Sequence, residues 1–148
     1  MFNQLDLSEL YLEMERLIFN YSPTIFSSET IKVLDSLSQQ AGVSFNISSN
    51  TAFIKGQTLR VILQELKLAP YFNFQLYSDE IGYSKPNMAF YSCLLNQINL
   101  TRQADEIATH EIIHIGDNPI ADIYGAKKMG IQTLHINTNE KTILNLLN

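Results

Sequence analysis

Four short apolar runs, each followed by a polar loop and then a stretch of helical periodicity, constrain this chain more than any other feature of its 148 residues. The clearest copy is 112–115, Ile-Ile-His-Ile, then the loop from Gly116 to Asn118, then a helix opened by Pro119 and closed by Gly130. The same order is read at 43–47 with a helix over 58–67, and at 74–77 with a helix from Pro86 to about residue 98. A fourth strand is expected at 131–136, with a last helix over 140–147. Strands alternating with helices of this length predict an α/β fold, a mainly parallel sheet with helices on both faces. Ahead of these units, apolar residues at helical spacing predict two helices. The first spans 8–20 with Ser8 as its cap, and the second starts at Ser28 and is closed by Gly42.

Composition narrows the function. A net charge of -5 with scattered basic residues disfavours nucleic acid, which is bound by clustered Lys and Arg. No apolar run approaches the roughly 18 to 20 residues that cross a bilayer. The single cysteine, Cys93, has no intrachain partner and reads as a packed thiol. With no basic and apolar leader pattern at the N-terminus, the cytoplasm is the expected compartment.

In parallel sheets of this kind ligands bind beyond the carboxyl ends of the strands. The loops there carry Ser49-Asn50, Asp79 to Lys85 and Asp117 to Asp122. A hydroxyl, an ammonium group and two carboxylates on one sheet edge suit a phosphate held with Mg²⁺, which takes one or two carboxylates plus water and phosphate oxygens. Asp79 and Glu80 read as loop solvation. His110 to His114 spells H-E-x-x-H, but zinc binding needs both histidines on one helical face, and Ile112 and Ile113 open a strand. His114 and His135 therefore read as structural.

The segments FNISSN, YSDEIGYSKPNMAFY and IIHIGDNPIADIYGAKKMGIQTL resemble, in order, the second, third and fourth motifs of the haloacid dehalogenase-like (HAD) hydrolases over about residues 28–136. The resemblance implies a Rossmann-like three-layer fold and a small phosphorylated metabolite as substrate. It also implies that Ser49, with Asn50, binds the phosphoryl group and Lys85 neutralises charge there. Asp117 resembles the direct Mg²⁺ ligand and Asp122 the outer carboxylate that orients metal-bound water.

The family's first motif, D-x-D-x-[TV] at the end of an apolar strand, supplies the aspartate nucleophile, and it is not found. No two of Asp6, Asp35, Asp79, Asp105, Asp117 and Asp122 are separated by a single residue. Residues 1–26 resemble the remnant of a helical cap and 27–148 an α/β core without its first strand, so the chain reads as N-terminally truncated. The expectation is a phosphohydrolase fragment inactive by itself. The alternative is a non-catalytic phosphate- or metal-binding or interaction module. An active phosphatase using Asp6 is the weakest reading, because Phe2 to Leu5 make a poor buried strand. Uncovered strand edges predict self-association or a complementing N-terminal segment.

Overall fold

The computed structural model describes residues 6–102, 106–136 and 142–147. Four strands and six α-helices alternate along it: α1 (Leu7–Asn20), α2 (Glu29–Ser38), β1 (Phe45–Ser49), α3 (Gly56–Glu65), β2 (Phe72–Tyr77), α4 (Ser78–Ile81), α5 (Met88–Arg102), β3 (Ile113–Gly116), α6 (Gly125–Lys128) and β4 (Gln132–His135). A π-helical turn, Pro119–Tyr124, leads into α6. The chain folds as the mixed α/β architecture that the alternating pattern predicts.

Pairing is parallel throughout, β1 with β2 and β3 with β4, and the result is two two-stranded sheets. Among the described residues β1 and β3 each have one strand neighbour. The Rossmann-like sheet is therefore incomplete between them. α5 bridges the two halves: Tyr91, Leu94 and Ile98 pack with Ala126 and Ile131, and Phe74 and Leu76 of β2 lie against this cluster. Burying an apolar side chain of this size contributes about 1.5–3 kcal/mol, so α5 supplies much of the adhesion that a continuous sheet would otherwise provide. The C-terminal 3₁₀ helix, Ile143–Leu147, packs on α2. Residues 140 and 141 of the helix predicted there lie outside the described residues.

Several local expectations are corrected. Asp6, not Ser8, caps α1, its carboxylate accepting the Ser8 N–H at 2.8 Å. An oxygen acceptor at this position satisfies an otherwise orphaned helix donor. α2 ends at Ser38, and Gly42, with φ +83°, sits in the turn beyond it. The loop after β2 holds the short helix α4, stopped by Gly82 in the left-handed region. The helix read from Pro86 begins at Met88.

Because Asp6 is exposed and engaged at a helix end, Asp6→Ala is expected to cost about 1 kcal/mol in a urea melt. No change in any hydrolysis of a chromogenic phosphate ester should accompany it. Loss of such hydrolysis in Asp6→Ala would assign Asp6 a catalytic task instead of a capping one.

Candidate functional site

The carboxyl ends of β1 and β3 are joined by a side chain from neither. Lys85 reaches across from the segment after α4, its Nζ donating to the Ser48 carbonyl at 2.8 Å and pairing with Asp122 Oδ1 at 2.7 Å. Both side chains are buried, Lys85 at 7% and Asp122 at 9% exposure, with the Phe90 ring 5.7 Å from Nζ. Asn50 fixes the lysine backbone from the β1 side. Its Nδ2 donates to the Lys85 carbonyl at 2.9 Å, and its Oδ1 accepts the Lys85 N–H at 2.7 Å. The ammonium is thus placed by the backbone on either side of it.

Asp122 is held as closely. Asn118 N-caps the π-helical turn, accepting the N–H groups of Ile120 and Ala121 at 3.0 and 2.8 Å, while its own N–H donates to Asp122 Oδ2 at 3.1 Å. His114 Nε2 lies 3.4 Å from Oδ1, and the Tyr91 hydroxyl donates to the Ala121 carbonyl at 2.6 Å. Gly116 makes the approach possible, since a Cβ there would overlap the Asp122 carboxylate. Burial pushes the Asp122 carboxyl upward, but hydrogen bonds from His114 and Lys85, the Lys85 charge and the Asn118 N–H outweigh it and hold the acid well below the usual carboxylate range. Lys85, at the shorter distance, is the firmer of the two side-chain partners. Burial and the Asp122 charge push the Tyr91 phenol upward, so it remains a neutral donor.

Asp117 differs in kind. It is exposed, and among the described residues its carboxylate has no hydrogen bond or ion pair. Its carbonyl accepts from His135 Nε2 at 2.9 Å, which anchors the backbone and leaves the side chain open. Ser49 is half-buried, its hydroxyl donating to the Asn50 carbonyl at 3.2 Å. Lys85, Asp122 and Asn50 are therefore brought into one bonded cluster; the Ser49 hydroxyl touches it only through the Asn50 carbonyl, and Asp117 flanks it just beyond β3.

No group of three or more His, Cys, Asp or Glu residues converges among the described residues. The donors nonetheless fit Mg²⁺, which is commonly held by one or two carboxylates with the remaining positions left to water and substrate oxygens. Among the described residues the Asp117 carboxylate is unbonded and could take the cation directly, whereas Asp122, bonded to Lys85 and Asn118, could serve it only as an outer, orienting carboxylate.

Some participants escape a reading of the sequence. His114 joins the cluster through the tertiary fold, packing edge-on against Tyr91 with ring centroids 5.6 Å apart. His110 lies in an exposed 3₁₀ turn, so the H-E-x-x-H pattern has no helix to carry it. Asp79 is not loop solvation: it accepts from Thr51 Oγ1 at 2.8 Å and from the Gly56 N–H at 3.2 Å, tying the β1 loop to the start of α3. Glu80 pairs with Arg60. Asn118 before Pro119 was the available signal for a capped helix start.

A family model described as haloacid dehalogenase-like hydrolase matches residues 6–136. The chain belongs to this family. Solved structures with the same fold include a HAD phosphatase from Thermococcus onnurineus (22% identity, TM-score 0.67, covering 87% of this chain and 55% of that one). Another is the HAD-superfamily hydrolase of Ehrlichia chaffeensis (20%, TM-score 0.66, 98% and 78%). A third is the putative HAD-hydrolase YfnB of Bacillus subtilis, a structure bound to magnesium (18%, TM-score 0.65, 94% and 64%). The chain thus spans from about half to about three quarters of the length of these HAD-fold proteins. No curated protein matches it. Within the HAD fold, the cluster at Lys85 and Asp122 lies at the strand ends where the third and fourth motifs were read.

Proposed function

We propose that this chain carries the phosphate- and Mg²⁺-binding portion of a HAD phosphohydrolase site and does not hydrolyse phosphate esters unaided. The observation that carries the reading is the buried Lys85–Asp122 pair, placed between the strand ends beside the open Asp117 carboxylate. A phosphate at this edge meets the Ser49 hydroxyl and the Lys85 ammonium, and Mg²⁺ on Asp117, when bound, neutralises the charge of the phosphate oxygens. The descriptions of the Thermococcus protein as a phosphatase and of the Bacillus structure as magnesium-bound support this chemistry.

The engagement of the described carboxylates supports the absence of turnover. Covalent phosphoryl transfer needs a free aspartate facing the phosphorus from a strand end. In this proposal Asp117 is committed to the cation; of the other described aspartates Asp6 is a helix cap, Asp35 accepts from Tyr71, Asp79 is bonded to Thr51 and Gly56, and Asp122 is paired with Lys85. α1 fits a helix of a cap: Glu15 accepts from Thr58 at 2.9 Å, and the Tyr11 ring lies 5.0 Å from Lys55 Nζ, so the helix sits on the start of α3.

Titration calorimetry with inorganic phosphate is expected to show binding only when Mg²⁺ is present, without hydrolysis of a chromogenic phosphate ester. In Asp117→Asn the Mg²⁺-dependent affinity should fall about 10-fold or more. No binding in the parent protein, or unchanged affinity in the variant, would overturn the reading.

A further inference from the structure

A cavity of about 500 Å³ is lined by the consecutive residues Phe45, Asn46, Ile47 and Ser48 of β1 on one side and by β3 on the other. The face of a strand presents alternate residues, so an uninterrupted run lines a space only at the strand's edge. The cavity therefore lies within the sheet, between the two edges that have no strand partner among the described residues. On β3 the carbonyls of Ile112 and Gly116 accept from the β4 side. In-plane backbone direction alternates residue by residue, which turns the N–H and C=O groups of Ile113 and Ile115 into the cavity. Asn46 Oδ1 is buried there without a hydrogen-bond partner among the described residues. α5 and α2 contribute apolar residues to the lining, and Lys85 spans the carboxyl end from Ser48 to Asp122.

We infer that this cavity is an acceptor slot for one extended, apolar segment of another polypeptide, about five residues long, running parallel to β1 and β3. Two facing ladders of donors and acceptors without partners among the described residues are satisfied together only by an extended backbone, and burial between helical layers requires apolar side chains on both of its faces. None of the described strands of a second copy fits. Each described strand is already bonded along one edge, and a slot with two ladders takes a strand with both edges free. The inference is independent of the phosphate reading, since it concerns backbone pairing and is tested without metal or phosphate.

The probe is an acetylated peptide, Lys-Lys-Ile-Val-Phe-Val-Ile, carrying a fluorophore, with the same peptide bearing proline in place of phenylalanine as control. Saturable anisotropy is expected with the first and not with the second, because proline removes a donor the ladder needs. Hydrogen exchange should slow by about 10-fold or more in both β1 and β3. Equal binding of the proline peptide, or protection confined to one strand, would overturn the proposal. So would slow exchange of both strands without peptide in a protein that light scattering shows to be dimeric, which would name a second copy as the occupant.

Discussion

Lys85→Met is expected to lower the unfolding free energy by about 3–5 kcal/mol, seen as a fall in the urea midpoint with little change in slope. The substitution nearly preserves side-chain length but removes the only ammonium that faces Asp122 among the described residues, leaving a 9%-exposed carboxylate with the His114 ring and one backbone N–H. It also leaves the Ser48 carbonyl without its donor. Uncompensated charge in such a place costs more than the pair contributes when intact, so the single variant overstates the worth of the bridge. The double variant Lys85→Met with Asp122→Asn should therefore lose clearly less than the sum of the two single losses. Strict additivity would mean that the two side chains do not act as a pair.

The second large effect is on acid stability. Asp122 is held below the usual carboxylate range, so its folded form is harder to protonate than the unfolded chain, where an aspartate titrates near about 3.9. Where the unfolded state binds more protons, stability rises with pH. The stabilisation from Asp122 is therefore complete above the unfolded value and drains away as the pH falls from about 4 towards the lower folded value. The parent protein should lose stability steeply over this range. Asp122→Asn should start weaker at neutral pH and run nearly flat through it, so that the two curves converge in acid. Glu13 is also lowered, by its hydrogen bond to Arg16, but it stands in solvent on α1 and adds little. Parallel curves would move the acid-labile group elsewhere.

Much of the site was legible because its residues are bound to short local patterns. The loop after β3 reads G-D-N-P, and each letter acts within a few residues: Gly116 yields space, Asn118 caps, and Pro119 opens the π-helical turn that carries Asp122. Lys85 stands out by order alone, between β2 and α5 in a loop after a strand. The contacts of Asp79 were not legible, because its partners Thr51 and Gly56 lie 28 and 23 residues away, and nothing in a polar loop distinguishes an anchoring carboxylate from a solvated one. Asp6 and Ser8 were interchangeable as caps by residue type, and only the backbone decided between them.

The sequence by itself determined the alternation of strands and helices, the parallel pairing this entails and the identity of the charged groups at the strand ends, because periodicity and loop chemistry are local. Only the tertiary structure decided how those groups are shared. It joined Lys85 to Asp122 across 37 residues of chain and left Asp117 open to solvent, and it set β1 and β3 on either side of a gap that no described strand fills. Those outcomes depend on which backbone and side-chain groups meet in the folded interior, where an unpaired charge or donor is costly, and no spacing along the chain encodes that meeting.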